Sequence, residues 1–342
     1  MRISSLSFTT SSLPGIMDNQ SSIARLNQQI ASTQKYLSPQ DNPLAARQAM
    51  TLSSSIARDT QYMANQTQAN QTLSEESTVL QGMQSALQGV SQLLTTATGN
   101  MTQAQRKEEA TTLVNYYMQI KDYANSQDTS GNYLFAGSNS NTQPYQNAMT
   151  YPAIAATQAT TYTGTADGPQ LSSQGVRSAN ISNGGSVQVS DNLQNVIQFS
   201  SPVSIPYSAA VVPATIPPTY TTTPVGTKDV FQAIDQMAIA LSDPNLTGSQ
   251  VQKAMGVAAG AVNTALSTLQ TVQSRVAVAQ VQISDTQANT KSRMTVSQNA
   301  LSDLTQVDQA AAIVEMQTRQ TSLQAAMTAF AQTSKLSMFN YM

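Results

Sequence analysis

Ser38-Pro39-Gln40-Asp41-Asn42-Pro43-Leu44-Ala45-Ala46 places a helix stop and a helix start within nine residues. Pro39 disfavours helical geometry at Ser38, so a helix arriving from the N-terminal side is expected to end near Leu37. Asn42 is a favoured N-cap, and Pro43 falls at the first helical position, where its missing N–H costs nothing. The helix that starts here is expected to run to about Thr98, roughly 80 Å at about 1.5 Å per residue. Its apolar stripe is Ala49, Leu52, Ile56, Met63, Leu73, Leu80, Met83, Leu87, Val90 and Leu94. Asp59, Gln66, Asn70 and Ser77 interrupt that stripe, and buried polar groups of this kind fix register at some cost in stability.

Ahead of the turn, Ile23, Leu26, Ile30 and Leu37 recur three and four apart, with Thr33 in the polar slot. This is a narrow seam of the coiled-coil type. At the opposite end of the chain Ile313, Met316, Leu323, Met327 and Phe330 repeat the spacing, with Gln320 in the remaining slot. Each seam is too short to be a stable helix alone, so the two are expected to pair with each other and then with neighbouring subunits. Leu336, Met338 and Phe339 continue the apolar character into the last residues, with Tyr341 and Met342 behind them. An apolar cluster of this kind marks an interaction site. These two seams and the final cluster are the candidate assembly interface.

Between the ends, Gly99-Asn100 closes the long helix and Thr102 with Gln105 forms a capping box. The box opens a further helix through Leu113, Val114, Tyr117 and Ile120, and the short connection predicts an antiparallel hairpin. After Thr227, Val230, Phe231, Ile234, Ala238 and Leu241 define a helix that stops at Asp243-Pro244. Thr247 and Gln250 repeat the capping box, and helix is expected from Gly248 to the C-terminus. A weakly apolar stretch, Ser284 to Ala300, is where a break or hinge is expected. Gly256 and Gly260 read as a pair that permits close helix packing.

The middle is different in kind. Nine of the thirteen prolines fall between Pro144 and Pro224, and the only charges from Gly131 to Thr227 are Asp167, Arg177 and Asp191. Thr161–Gly164, Ser186–Ser190 after Gly184-Gly185, and Val196–Phe199 have strand character. Pro202 to Pro224 reads as a Pro/Thr-rich excursion with little regular structure. The expected fold is mainly α: a long antiparallel helical bundle or coiled coil formed by both chain ends, with a small β-rich middle domain inserted. Residues 1–42 and 300–342 form the terminal coiled-coil assembly domain, 43–140 and 228–299 the long-helix bundle, and 141–227 the β-rich middle.

Composition narrows the function. Histidine, cysteine and tryptophan are absent from the 342 residues. The commonest general base, thiol nucleophile and thiolate metal ligand are therefore missing, and no catalytic, cofactor-binding or metal site is expected. Adjacent carboxylates such as Glu75-Glu76 and Glu108-Glu109 lie about 100° apart on a helix and read as solvated surface. A net charge of −2 leaves no basic footprint for nucleic acid. The longest uncharged helical stretch, Ala254 to Ser274, carries too many polar groups for a bilayer, and Met1 to Gln20 lacks the apolar core of a secretory signal. Only 10% of residues are charged, so surfaces rich in Gln, Asn, Ser and Thr repel like copies weakly.

The Ser38–Ala46 stretch resembles the N-terminal turn of bacterial flagellins and their relatives. Leu301-Ser302-Asp303-Leu304, Asp308-Gln309-Ala310, Gln317, Gln320, Leu323-Gln324-Ala325 and Leu336-Ser337 resemble the C-terminal part of the same family. Met1-Arg2-Ile3-Ser4 and Gly131-Asn132-Tyr133-Leu134-Phe135-Ala136-Gly137, followed by Thr142-Gln143-Pro144-Tyr145, are similar to the family's hook–filament junction branch. Asp41, Asn42, Pro43, Tyr133, Phe135 and Gly137 are the motif positions that carry the likeness. The resemblance implies a secreted structural subunit of the extracellular flagellum, exported through its type III channel. It implies a ring of copies, the first hook-associated protein on one side, flagellin on the other, and an export chaperone on the C-terminal helix. The filament subunit itself is the nearest alternative, and a secreted coiled-coil protein of another class the next.

Overall fold

The computed structural model describes residues 5–96, 101–145, 176–192, 196, 198–205, 225–244 and 246–339. Among them are six α-helices: α1 Ser5–Ser32, α2 Pro43–Thr96, α3 Gln103–Ala124, α4 Val230–Ser242, α5 Gly248–Thr305 and α6 Gln309–Phe339. Four strands accompany them: β1 Ser178–Ser182, β2 Gly185–Gln188, β3 Gln198–Ile205 and β4 Val225–Asp229. The mainly α architecture with a small β-rich insertion is the one the sequence predicts. Among the described residues no helix is long and apolar enough to cross a membrane.

Contacts divide the chain into two units, residues 1–61 with 290–342, and residues 62–289. The divisions fall inside α2 and inside α5.

In the 62–289 unit, α2, α3, α4 and α5 share one apolar core. Leu73, Leu80, Met83, Leu87 and Val90 of the predicted α2 stripe are buried there, with Leu113, Tyr117 and Ile120 of α3 and Ala258, Val262, Ala265 and Leu269 of α5. Helix α3 opens on Thr102, whose hydroxyl accepts from the Gln105 amide while the Gln105 side chain accepts from the Thr102 amide. Thr247 and Gln250 repeat the arrangement ahead of α5. Both capping boxes sit where the sequence places them. Gly256 and Gly260 are a correction: both are exposed, and a Cβ on either would meet nothing within 4 Å. Close approach is made instead at Gly82 and Gly89 of α2, where an added Cβ would lie 2.6 Å from the rings of Tyr123 and Tyr116 of α3.

That geometry sets two effects against each other. Gly to Ala inside a helix ordinarily stabilises by roughly 1 kcal/mol, whereas overpacking costs about 1–3 kcal/mol. Gly82→Ala is therefore expected to lower the denaturation midpoint. In a Tyr123→Ala background the same change should raise it, and chemical denaturation of the four proteins gives the sign.

Among the described residues the strands form two antiparallel pairs, β1 with β2 and β3 with β4. Ser182 pairs with Gly185, so Asn183-Gly184 is the two-residue turn, and Gly184 has φ of 83°. The expected strand at Ser186–Ser190 is real but begins at Gly185 and ends at Gln188. The sequence reading missed β1, its partner; the Asn-Gly pair was the available signal. Strand β3 starts at Gln198 rather than Val196 and carries Pro202 inside it, which corrects the reading of 202–205 as irregular. The β3–β4 register shifts between Gln198 and Val203, and a proline is tolerated where ladder pairing is interrupted. The expected strand at Thr161–Gly164 and residues 206–224 lie outside the described residues.

Candidate assembly interface

Helix α1 ends at Ser32, five residues before the expected stop, because Thr33 adopts a left-handed conformation with φ of 59°. The chain beyond it pairs backbone to backbone. The Lys35 amide donates to Thr305 O at 2.7 Å, and the Val307 amide donates to Thr33 O at 3.1 Å, around an antiparallel bridge between Gln34 and Gln306. The Gln29 side chain reaches the Lys35 carbonyl at 2.6 Å and ties the exit strand back to α1.

This pairing also explains the helix break at the other end. No break occurs over Ser284 to Ala300, where the expectation placed it; α5 continues to Thr305. The stretch is polar but contains neither Gly nor Pro, and polarity alone does not stop a helix. The interruption falls at 306–308, and Asp308 then caps α6 by accepting from the Ala311 amide at 3.1 Å.

The turn at 38–46 is built from its own side chains. Asp41 Oδ2 accepts from the Leu37 and Ser38 amides at 3.0 and 3.1 Å, and Oδ1 faces the Arg25 guanidinium of α1 at 3.1 Å. Asn42 Oδ1 accepts from the Ala45 amide at 3.1 Å, the expected N-cap, with Pro43 opening α2. Asp41, Asn42 and Pro43 thus fix the angle between α1 and α2. A cleft of about 220 Å³ lies beside the turn, lined by Tyr36, Leu37, Pro39, Ala45, Ala49 and Thr305 among others.

Helices α1 and α6 pack together, running antiparallel from the bridge at 34 and 306. The seam they share is open. Ile23, Leu26, Ile30, Leu37, Met316, Leu323 and Phe330 are only half-buried, and Ile313 and Met327 are 39% and 44% exposed. Leu13, Met17, Leu44, Met50 and Val314 are exposed too. Among the described side chains of the 1–61 and 290–342 unit, the buried apolar ones are Ala45 and Ala312. The side chains of Leu336, Met338 and Phe339 lie outside those described, as do Tyr341 and Met342.

One polar interruption of the α2 stripe belongs to this unit. Asp59, 5% exposed, accepts from Arg293 of α5 at 2.7 Å. This is a cross-helix pair at a buried position. Gln66, fully buried in the other unit, has a different role: its side chain donates to the Ile181 carbonyl of β1 at 2.6 Å.

The remaining motif positions form a folded loop after α3. Leu134 donates to Ser126 O, Tyr133 donates to Ser140 O, and Ala136 bridges to Asn192. Gly131 and Gly137 bracket the loop with φ of 81° and 60°, values that side chains rarely adopt. Phe135 is fully buried and Tyr133 half-buried. Tyr133, Phe135 and Gly137 are therefore scaffold for the junction of α3 with the β-rich part. Among the described residues no group of three acidic side chains is placed to hold a metal ion.

Residues 3–140 match the bacterial flagellin N-terminal helical region and residues 259–342 the bacterial flagellin C-terminal helical region. Together the two matches cover about two thirds of the chain. Flagellar hook-associated protein 3 of Salmonella typhimurium is 32% identical over 149 residues, 43% of this chain and 47% of that protein. The protein of the same name from Escherichia coli is 30% identical over 146 residues, 42% of this chain and 46% of that one. The chain spans about half the length of these curated relatives. The solved structure of the flagellar junction protein FlgL from Legionella pneumophila superposes with a TM-score of 0.55 at 16% identity, covering 75% of this chain and 99% of that one. At that identity the likeness speaks for the fold.

Proposed function

The chain belongs to the bacterial flagellin family, and we propose that it is the structural adaptor joining the hook-associated ring to the flagellin filament. The observation that carries this reading is the unfilled terminal unit. Two long helices meet along an apolar seam, yet among the described side chains of that unit the only apolar ones buried are two alanines. A helix pair with so little core needs further apolar surface to cover it, and neighbouring subunits supply it. The names of the 30–32% identical relatives favour the junction over the filament itself.

In this role the residues at 1–42 and 300–342 form the assembly domain, and copies of the chain stand side by side in a ring. The first hook-associated protein adjoins one face and flagellin the other. An export chaperone covers the C-terminal helix before secretion, and the working location is extracellular. The role calls for no catalytic group.

A deletion strain tests it. Cells lacking the chain are expected to carry complete hooks without filaments and to shed flagellin into the medium. Filaments of normal length would overturn the proposal. Loss of filaments without shed flagellin would point to the filament subunit instead.

A further inference from the structure

Five charged groups gather where the β1–β2 hairpin meets the helices. Asp191, 1% exposed, follows β2 and pairs with Arg275 of α5. Arg177 precedes β1, and its guanidinium lies 3.7 Å from Asp128 of the loop after α3. Asp128 is held by the Ser130 and Asn132 amides at 2.9 and 2.8 Å, so it cannot swing away. The fifth group is Glu76 of α2, also 1% exposed, whose Oε1 accepts no hydrogen bond from the described residues. Its neighbour Glu75 is half-buried and engaged by Gln71.

Three buried carboxylates thus face two guanidinium groups whose side chains are 25% and 39% exposed. With Glu76 ionised the cluster holds one uncompensated negative charge in a poorly solvated place; with Glu76 protonated it is neutral. Unpaired buried charge is costly, and a proton is the cheapest way to remove it. A cleft of about 200 Å³, lined by Glu76, Asp191, Arg275, Val187 and Val276 among others, gives water a path to the carboxyl.

We propose that one proton, taken up by Glu76, governs how tightly the β1–β2 hairpin is held against α2 and α5. Besides the burial of Ile181 and Val187 in the helical core and the bridge from Ala136 to Asn192, the polar ties on the hairpin include Gln66 to the Ile181 carbonyl, Asn65 to the Asn180 carbonyl at 3.1 Å, and the Arg275–Asp191 pair. Release of the hairpin would expose Glu76 and return it to ordinary carboxylate behaviour. Burial pushes the docked carboxyl up to about 7, against the opposing pull of Arg275 and Arg177. The docked state therefore keeps its proton to higher pH than the released state. Docking is strongest below about pH 4.5, weakens as pH rises toward 7, and is constant above that. Within this window the docked-to-released ratio falls by up to about tenfold per pH unit.

Hydrogen exchange on the full-length protein tests this between pH 5 and 8. Protection factors of the β1 and β2 amides, corrected for intrinsic rates, are expected to fall with rising pH in the wild type. In Glu76→Gln, a neutral isostere of the protonated acid, they should stay level at the low-pH value of the wild type. Equal slopes in the two proteins would overturn the proposal. If the variant does not fold, a carbon-13 titration of the wild-type Glu76 carboxyl decides the matter. A midpoint in the ordinary carboxylate range refutes it, and one near neutrality supports it.

Discussion

Phe231→Ala is expected to destabilise the 62–289 unit by about 3–5 kcal/mol, the range for emptying a buried aromatic site. Phe231 is completely buried at the start of α4. Tyr117 of α3 meets it edge-on, with ring centroids 5.3 Å apart and planes at 75°. From the other side the Tyr145 ring lies 4.2 Å away at 45°. Tyr145 is itself anchored, because its amide and carbonyl are both bound by the Asn125 side chain at 2.9 Å. Two rings held by different elements cannot both collapse into the space a phenylalanine leaves, so the cavity persists and the cost falls in the upper part of the range. Phe231→Leu, which keeps most of the volume, should lose less than half as much. Met118→Ala on the same unit, where Met118 is 40% exposed, should shift the urea midpoint little. A Phe231→Ala midpoint close to that of Met118→Ala would contradict the assignment of this aromatic trio as the keystone of the α3–α4 packing.

Local signals in the sequence make much of this legible. The Asn42-Pro43 start, the two capping boxes and the Asp243-Pro244 stop are decided within four or five residues, and the structure keeps each. What the sequence hid depends on partners distant in the chain. Thr33 looked like a slot in a continuing seam, yet its left-handed backbone is imposed by pairing with residues 305–307. Polarity points to a hinge at 284–300, whereas the break sits where α6 acquires its cap and the bridge to Gln34 forms. Glu76 reads as solvated helix surface in the sequence because adjacent carboxylates on a helix point about 100° apart. Its burial arises from a hairpin more than a hundred residues downstream, and no pattern within α2 announces that. The candidate interface was legible as two apolar seams. That their side chains would remain half-exposed in the folded chain could not be read from spacing.

Leu26→Asp is expected to abolish incorporation into the flagellum while leaving the free protein folded. Leu26 is half-buried on α1, in the seam with α6. In the isolated chain an aspartate there keeps much of its hydration, so the cost to monomer stability should be about 1 kcal/mol or less. Neighbouring subunits that close over the seam would strip that water away, and the charge would have no partner. Desolvating an unpaired carboxylate costs several kcal/mol, which weakens association by at least about a hundredfold. The α6 side of the seam makes the same prediction: Leu323→Asp should behave alike, since Leu323 is also half-buried. Asn27→Asp adds the same charge one residue away on the exposed face and should assemble normally. Thermal unfolding of the purified variants, set beside restoration of filaments in the deletion strain, separates the two effects. Filaments restored by Leu26→Asp would mean that the seam is not covered in the assembly. A monomer that unfolds outright would mean that α1 and α6 already form a complete core without neighbours. Only retained folding with lost assembly matches a unit whose core is finished by other subunits.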